Sequence, residues 1–462
     1  MKLSFHGADR GVTGSCHMIE CAGKTILIDC GFYQGGRESE KANAEGFGFD
    51  PAKVDTLLLT HAHLDHCGRI PLLVKRGFAG EIVSTAATRE LTRVVLLDSA
   101  HLQEEGARNR KLPDGRETDG PEDAEPLYGL GDALAAFDRF GREARYDEPL
   151  DLAPGVRVTF VNAAHILGSA SILLELAEGE TRRRVLFSGD LGNSGRPLLE
   201  DPVAPAGVDV VVMETTYADR NHRSIAESVA EFYAAIGDAF RRGGNVVIPT
   251  FGIERAQDLL YYLRQGAEAG TLPQSMQVFL DSPMAISATE IFKRHPESLR
   301  PQVAELFSKG LDPLRPPGVV FTRDRSESLA INRVLSCAII MAGSGMATGG
   351  RVLHHLRHNL GRPQSAIVFV GYAAEGTLAR QIIDGAREVT IDGDRMNVRA
   401  RIYTINGFSA HADQGELIAW RLRADPKRTF LVHGEEAAMN AFVAKLDGAA
   451  VERPMLGQEW EL

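Results

Sequence analysis

Short apolar runs that end in polar or glycine-rich residues recur along the first half of the chain. Residues 24–29 (KTILID) and 54–60 (VDTLLLT) are the first two, and similar runs follow at 156–161, 171–175 and 185–188. This pattern is typical of buried strands that end at a site. We therefore expect a β-rich first part whose strand ends carry polar side chains.

From residue 208 to about residue 395, strand-like runs alternate with segments of helical spacing. The strand-like runs are VDVVVMET, GNVVIPTF, MQVFLDSP, CAIIMAGSGM and AIVFVGY. Helices are predicted between them from Glu254, near Ile286 and from Gly350. This alternation predicts a parallel sheet with helices on its faces. Residues 400–462 return to strand, helix and strand.

One segment in the first half departs from the strand pattern. Apolar residues recur at helical spacing from residue 88 to about 103, whereas residues 104–124 are charged and contain several glycines and prolines. Because glycine and proline interrupt regular structure, residues 104–124 are predicted to form a surface loop.

Composition narrows the class of protein. The 462 residues are 44% apolar and 24% charged, as expected for a globular enzyme of two or three domains. No signal peptide or membrane span is predicted, and five scattered cysteines without a CxxC pair fit a reducing cytosol. A formal net charge of −11 argues weakly against a non-specific nucleic-acid binder, but it leaves room for an enzyme with a locally positive site.

The strongest chemical signal is the segment 60–66, which reads THAHLDH and follows an apolar strand. Alternating His61 and His63 project to the same side, and a tight turn can bring Asp65 and His66 to a second point nearby. Imidazole and carboxylate are good zinc ligands, so the segment predicts a metal site. The alternative is a histidine cluster on the surface.

Three further ligand candidates stand where other strands end. They are His165 (NAAHILGS), Asp190 (LFSGDLG) and His433 (TFLVHGE), each beside small residues that allow close approach. A lone histidine at a strand end is usually structural. Together with the segment 60–66, however, a shared metal centre is the preferred interpretation.

The motif HAHLDH resembles the HxHxDH signature of the metallo-β-lactamase superfamily, and Asp29, His165 and Asp190 match the other motifs of that family in order. The resemblance implies two Zn²⁺ per chain. One would be bound by His61, His63 and His165, the second by Asp65, His66 and His433, with Asp190 bridging both. Asp29 would stand behind the ligands and orient them.

A second set of motifs resembles the β-CASP subgroup, which acts on nucleic acids. Residues 212–217 (VMETTY), 408–413 (FSAHAD) and 431–435 (LVHGE) are similar to its motifs A, B and C. The likeness is closest to prokaryotic ribonucleases related to the endonuclease subunit of the eukaryotic cleavage and polyadenylation specificity factor. The histidine of motif C is typical of members that cut RNA.

Acid–base chemistry is predicted for two residues of these motifs. A departing ribose oxygen needs a proton, so we assign His411 as general acid and Glu214 as the carboxylate that fixes its ring. Asp65 is counted as catalytic as well as a ligand. The alternative is that His411 caps a turn and Glu214 is a surface charge at a strand end.

A glycine-rich turn between a strand and a helix predicts an anion site. Exposed N–H groups at such a helix start favour phosphate, so Ser344, Gly345 and Met346 are expected to bind a substrate phosphate. Arg255 is a candidate phosphate clamp, with an ordinary helix-face arginine as the alternative. Three histidines at helical spacing are predicted to lie on a helix surface: His354, His355 and His358.

The resemblance implies an α/β fold, namely a four-layer αβ/βα metallo-β-lactamase sandwich with an inserted β-CASP α/β domain of mainly parallel sheet. Its N-terminal part is predicted at residues 1–205, the β-CASP domain at 206–395 and the C-terminal, RNA-metabolising part at 396–462. The active site is expected in the cleft between the lobes, where a flexible single strand has access.

The implied function is hydrolysis of phosphodiester bonds in single-stranded RNA, through in-line attack of a hydroxide that bridges the two ions. Endonuclease action is favoured, and exonuclease action stays open. Two alternatives remain. One is another hydrolase on this scaffold, such as a DNA nuclease or thioesterase, and the other is a non-catalytic RNA-processing scaffold. RNA is the expected partner and a membrane is not, the expected location is the cytoplasm, and a homodimer stays open.

Overall fold

The computed structural model of the chain describes residues 1–35, 37–110, 125–371, 373–374, 376–446 and 450–462. They divide into two compact units. The first unit consists of Met1–Ser194, Asp201–Asn221 and His411–Leu462, and the second consists of Gly195–Glu200 and His222–Ala410. The first unit therefore contains both ends of the sequence.

The strands are β1 (Lys2–Phe5), β2 (His17–Cys21), β3 (Lys24–Ile28), β4 (Thr56–Leu58), β5 (Glu81–Thr85), β6 (Phe140–Ala144), β7 (Leu150–Ala153), β8 (Val156–Asn162), β9 (Ala170–Glu178), β10 (Thr181–Phe187), β11 (Val210–Glu214), β12 (Val246–Pro249), β13 (Gln277–Leu280), β14 (Val319–Phe321), β15 (Ala338–Ala342), β16 (Ala366–Phe369), β17 (Glu388–Ile391), β18 (Asp394–Asn397), β19 (Arg401–Thr404), β20 (Arg428–Val432), β21 (Val451–Glu452) and β22 (Glu459–Glu461).

The α-helices are α1 (Arg37–Ala44), α2 (Leu64–Cys67), α3 (Ile70–Lys75), α4 (Ala86–Arg110), α5 (Leu130–Phe137), α6 (Ile225–Arg241), α7 (Arg255–Glu268), α8 (Pro283–Arg294), α9 (Pro301–Ser308), α10 (Arg325–Ile331), α11 (Arg351–Asn359), α12 (Leu378–Ile383), α13 (Gln414–Ala424) and α14 (Glu436–Val443). Short 3₁₀ turns cover Pro51–Lys53, Pro296–Ser298 and Asn406–Phe408.

Two seven-stranded sheets form the centre of the first unit, in the strand orders β22-β1-β2-β3-β4-β5-β6 and β21-β20-β11-β10-β9-β8-β7. The two sheets share one buried apolar core, to which Phe5 and Ile28 contribute from the first sheet and Phe160 from the second. Trp420 of α13 and Phe442 of α14 cover the other side of the second sheet, while α4 contacts β5 and β6 of the first. The predicted αβ/βα sandwich is confirmed.

Strands of the second sheet are buried on both faces. In β10, Val185 and Phe187 belong to the core between the sheets, whereas Leu186 packs with the helices on the other side. Successive side chains of a strand point to opposite faces. A strand covered on both sides therefore has an uninterrupted apolar run, which is the pattern seen in the sequence.

The second unit is built on a six-stranded sheet with the order β14-β13-β15-β12-β16-β19, and its neighbouring strands are parallel. Phe232 of α6 and Leu259 of α7 belong to the core on one face, and Leu356 of α11 belongs to the core on the other. The predicted parallel sheet is thus present. The ends of β13 and β15 place Asp281 and the glycine-rich turn 343–350 at the same edge.

The compact units divide the chain at residues other than the predicted 205 and 395. β11 pairs with β10 and β20, so residues 210–214 belong to a sheet of the first unit. β19 pairs with β16, so residues 401–404 belong to the sheet of the second unit. Strand pairing, which composition does not reveal, sets the division.

The predicted surface loop at 104–124 is wrong in its first part, because α4 continues to Arg110. Residues 111–124 lie outside the described residues. Glu104 and Arg108 form an ion pair of 3.1 Å one helical turn apart, a spacing that stabilises a helix. Like every other helix in the described ranges, α4 lacks the apolar length that a membrane span needs.

Candidate metal centre

The histidine-rich turn lies directly after β4 in the first unit. The short helix α2 begins after His63, whose carbonyl oxygen accepts from the N–H of Cys67 at 3.0 Å. This reversal brings the ring of His66 to within 4.0 Å of that of His61, centre to centre. A Cβ atom on Gly31 would lie 1.5 Å from the carbonyl oxygen of Asp65, so the close crossing of these segments requires glycine.

His165, Asp190 and His433 arrive from three other segment ends, after β8, β10 and β20. The N–H of His165 donates to Ser169 Oγ at 2.9 Å, which fixes that loop. Gly192 packs against the same loop, since a Cβ there would lie 1.9 Å from the carbonyl oxygen of Ala164. The structure thus brings all of the predicted ligands into one unit.

The first group of ligand atoms belongs to His61, His63, His165 and Asp190, and these atoms lie within 4.8 Å of one another. His63 Nδ1 is 3.2 Å from His61 Nε2 and 3.1 Å from His165 Nε2. Asp190 Oδ2 is 3.5 Å from both of those Nε2 atoms. Ligands about 2.0–2.1 Å from a tetrahedral zinc lie about 3.3–3.4 Å apart, so this spacing fits such an ion.

The second group consists of Asp65, His66 and His433. His433 Nε2 is 3.3 Å from His66 Nε2 and 3.5 Å from Asp65 Oδ2. Asp190 Oδ1 lies 3.2 Å from His66 Nε2, so one carboxylate presents an oxygen to each group. Among the described residues no donor makes a hydrogen bond to this buried oxygen. The donor set therefore fits two divalent cations.

Asp29 stands behind His66, where the sequence predicted an orienting residue. One of its oxygens lies 2.7 Å from His66 Nδ1 and also accepts from Thr60 Oγ1 at 2.8 Å. The other accepts from the Thr60 N–H at 2.8 Å. A carboxylate on Nδ1 directs Nε2 of the same ring toward the ligand cluster.

Burial and charge set the protonation of the cluster. Burial lowers the pKa of His61 well below its usual range and that of His63 to about 4, so both rings are neutral, as metal ligands must be. Burial also acts to lower the pKa of His66, but Asp190 and Asp29 outweigh it and raise that pKa well above 6.5. For Asp190, burial is outweighed by His433 and His66, which hold its pKa well below 3.8.

His411 and Glu214 lie together at the edge of the first group. His411 Nδ1 is 3.2 Å from Glu214 Oε1 and 3.9 Å from Asp190 Oδ2. Glu214 is buried and also accepts from the Leu191 N–H at 2.6 Å, whereas the His411 side chain is 21% exposed. Burial lowers the pKa of His411, but Glu214 and Asp190 raise it to about 8. A charged imidazole with access to solvent can donate a proton.

The predicted phosphate turn lies in the second unit, between β15 and α11. The N–H of Ser344 donates to the Gly349 carbonyl oxygen at 3.3 Å, and the N–H of Thr348 donates to Ser344 Oγ at 3.0 Å. In the part of the chain that the structure describes, the N–H groups of Gly345 and Met346 donate to no residue. These two amides are therefore free to receive an anion.

Two other predicted positions have different surroundings than expected. Arg255 is only 5% exposed and lies 3.7 Å from Asp258, so its burial does not favour contact with RNA. His355, predicted on a helix surface, has no exposed surface, whereas His354 and His358 are exposed. The surface prediction is wrong for His355, because its ring is held by a buried carboxylate, Asp281.

Two threonines next to the ligands were not predicted. Thr60 Oγ1 lies 3.0 Å from His61 Nδ1 in addition to its bond with Asp29. Thr216 Oγ1 lies 3.2 Å from His433 Nδ1 and donates to the carbonyl oxygen of the same residue. The signal available in the sequence was that each hydroxyl residue stands at a strand end beside a motif residue.

Three family models match the chain. The "Metallo-beta-lactamase superfamily" model matches residues 9–250, the "Beta-Casp domain" model residues 256–382, and the "Zn-dependent metallo-hydrolase RNA specificity domain" model residues 395–453. The order of the three matches is that of the predicted domains.

Relatives of known name match over most of the chain. "Ribonuclease TTHA0252" of Thermus thermophilus is 40% identical over 441 residues, which cover 96% of this chain and 95% of that protein. "Transcription termination factor FttA" of Methanocaldococcus jannaschii is 32% identical over 451 residues, which cover 95% of this chain and 67% of the relative. A crystal structure of an Enterococcus faecalis V583 protein of unknown function has a TM-score of 0.55 at 10% identity and covers 100% of this chain and 99% of its own, a likeness of fold alone.

Proposed function

Because the chain belongs to the metallo-β-lactamase superfamily and carries its Beta-Casp and RNA specificity domains, we propose that it is a zinc-dependent ribonuclease that acts on single-stranded RNA. The observation that carries the proposal is the meeting of seven predicted ligands in two groups, with one oxygen of Asp190 in the first group and the other 3.2 Å from His66 of the second. The relative named a ribonuclease is similar over 96% of this chain, which supports RNA as the substrate.

We assign His61, His63 and His165 to one zinc ion, Asp65, His66 and His433 to the second, and one oxygen of Asp190 to each. Bound there, two divalent cations supply a water of lowered pKa and neutralise charge on the phosphoryl oxygens. Asp29 holds the ring of His66 in the tautomer that ligation requires.

His411 acts on the leaving group. Since Glu214 lies at Nδ1, we assign the proton on Nε2 to the departing ribose oxygen. Protonation of that oxygen leaves a 3′-hydroxyl, and the oxygen of the attacking water stays on the 5′-phosphate. The ring then regains a proton from solvent, to which it is exposed.

Binding of RNA is assigned to the glycine-rich turn. The N–H groups of Gly345 and Met346, with the hydroxyl of Ser344, would receive a phosphate oxygen of the substrate. Backbone contacts of this kind do not read base sequence, so we expect cleavage with little dependence on the base.

The test compares nucleic acids that share one sequence, with a thioester beside them. The zinc-loaded protein is incubated with linear single-stranded RNA, circular RNA, linear DNA and a thioester. We expect cleavage of both RNAs, with 5′-phosphate ends, and endonuclease action is established by cleavage of the circle. Cleavage of linear RNA alone would mean exonuclease action, and faster turnover of DNA or thioester would refute the proposal.

The metal assignment has its own measurement. Elemental analysis of purified protein is expected to give two zinc ions per chain, and His411→Ala is expected to keep both. Fewer than two ions in an otherwise folded protein would instead favour the non-catalytic RNA-processing scaffold.

A further inference from the structure

A buried carboxylate of the second unit has no part in the proposed chemistry but binds four side chains. Asp281 follows β13 and has no exposed surface. One of its oxygens accepts from Thr322 Oγ1 at 2.8 Å and Arg351 Nη1 at 2.7 Å. The other accepts from Ser328 Oγ at 2.5 Å and His355 Nε2 at 2.7 Å. A buried charge that is satisfied this fully holds its partners in one arrangement.

The four donors come from three separate segments. Thr322 directly follows β14, and Ser328 lies in α10. Arg351 and His355 lie on successive turns of α11. Burial raises the pKa of Asp281, but hydrogen bonds from His355, Ser328, Thr322 and Arg351 outweigh it and lower that pKa to about 2. The carboxylate is therefore charged at neutral pH, and it ties the start of α11 to the ends of two strands.

Arg351 makes three hydrogen bonds within the protein. Besides Asp281, its guanidinium donates to the carbonyl oxygen of Thr322 at 3.1 Å and to that of Arg323 at 2.5 Å. Arg351 also directly follows the glycine-rich turn 343–350. Its role is thus to anchor the end of that turn, and an RNA phosphate would have to compete with three protein acceptors for it.

Besides Arg351, few of the described residues outside the turn 343–350 form hydrogen bonds with it. Its first residue, Gly343, accepts from the N–H of Val352 at 3.1 Å, and the carbonyl oxygen of Met346 accepts from the N–H of Ala379 at 3.3 Å. Among the described residues, Ser344 bonds only within the turn, to Ala347, Thr348 and Gly349. The direction of the amides of Gly345 and Met346 therefore depends on where α11 begins.

We propose that Asp281 is a positioning residue for substrate: through Arg351 and His355 it fixes α11, and thereby the turn whose amides receive an RNA phosphate. The inference rests on the proposed function, since it needs a phosphate of RNA at the turn. A role in stability alone would instead predict a less stable protein without a selective loss of RNA affinity.

The test uses Asp281→Asn, with Ser328→Ala as a milder variant that removes one donor should the first fail to fold. Asp238→Asn is the matched control. Asp238, in α6, also accepts from several donors, with Arg242 at 2.7 Å, Arg401 at 3.0 Å and Tyr403 at 2.8 Å. Arg401 and Tyr403 belong to β19, which is the last strand of the sheet on the side away from β13 and β14. Each protein is assayed for kcat and KM on a single-stranded RNA and for hydrolysis of bis(4-nitrophenyl) phosphate, a diester that has one phosphate and therefore no second phosphate for the turn.

We expect Asp281→Asn to raise the KM for RNA about 10-fold or more with kcat within about 3-fold, and to leave the small diester unaffected, because only uniform binding is lost. Ser328→Ala should shift KM the same way by less, and Asp238→Asn should resemble the unaltered protein. An unchanged KM in folded Asp281→Asn, or equal shifts in Asp281→Asn and Asp238→Asn, would overturn the inference.

Hydrogen exchange separates this inference from the proposed function, because it needs no RNA. In Asp281→Asn, amide exchange should accelerate in 343–356 and stay unchanged in α6, the helix that carries the control residue Asp238. If the unaltered protein fails to cut RNA, the proposed function falls, and the exchange result alone decides whether Asp281 holds the turn. Uniform acceleration throughout the second unit would show a general loss of stability and refute the positioning role.

Discussion

Asp29→Asn tests how far the metal centre depends on a residue that binds no metal. The substitution keeps the size of the side chain but removes a buried charge that is bonded to Thr60 N, Thr60 Oγ1 and His66 Nδ1. Hydrogen bonds to a charged group contribute about 1.5–3 kcal/mol, against about 0.5–1.5 kcal/mol for neutral pairs. Each of the three bonds therefore weakens by about 1 kcal/mol.

The hydrogen bond between Asp29 and His66 affects metal affinity, because His66 is a proposed ligand. An asparagine can accept from Nδ1 only with its neutral oxygen, and its amide group then faces the backbone N–H of Thr60, donor against donor. Loss of such an orienting partner lowers metal affinity about 10- to 100-fold, or about 1.4–2.8 kcal/mol. The metal-free protein should also be less stable by about 2–3 kcal/mol, since all three bonds serve the fold.

The assay is competition for zinc against a chelator of known affinity, together with urea unfolding of the metal-free protein. Asp55→Asn is the control, because Asp55 accepts from Thr25 N at 2.9 Å and Lys24 Nζ at 2.7 Å at the opposite end of β3 and β4. We expect Asp55→Asn to keep the unaltered zinc affinity. Zinc binding by Asp29→Asn as tight as that of the unaltered protein, or an equal loss of affinity in both variants, would refute this role of Asp29.

Three further predictions follow from single contacts. His411→Ala should lower kcat about 10²- to 10⁴-fold with zinc content unchanged, measured beside His101→Ala, an exposed histidine that should have no effect. Gly192→Ala should displace the loop of His165, lose zinc and destabilise the fold by about 1–3 kcal/mol, whereas Gly131→Ala has open space and should do neither. The folded pKa of Asp281, about 2, lies below its ordinary 3.8, so its contribution of about 2 kcal/mol should be complete above about pH 5 and about half lost by pH 3. Urea unfolding of the unaltered protein and of Asp281→Asn at pH 5 and pH 3 measures this contribution. A difference in unfolding free energy between the two proteins that is the same at both pH values would contradict the prediction.

The sheets could be predicted because their signal is local. Val185, Leu186 and Phe187 are apolar in succession because both faces of β10 are covered, and a reader of the sequence sees that directly. The last turns of α4 could not be predicted, since they are polar and contain Gly106, and their support is an ion pair on the helix surface. Nor could the pairing of β11 and β19, which depends on strands far away in the chain.

The same distinction applies to the site. The segment 60–66 concentrates ligand residue types so strongly that its chemistry is evident without a structure. His355 carries no such signal, because its partner Asp281 lies 74 positions away. Arg255 likewise resembles an exposed helix residue until Asp258 is seen beside it. A single sequence does not reveal the partner of an isolated polar residue when that partner lies far away in the chain.

The acidic composition of the chain is consistent with an anionic substrate once charge is counted locally. Among the seven ligands only Asp65 and Asp190 are anionic, and the histidines must be neutral to bind metal. Two divalent cations would therefore leave the centre with a net charge of about +2. A phosphodiester carries one negative charge and gains another as water attacks, so the centre would stabilise the transition state more than the substrate. The net charge of −11 is then a property of the surface, and it sets the salt dependence of RNA encounter and not the chemistry.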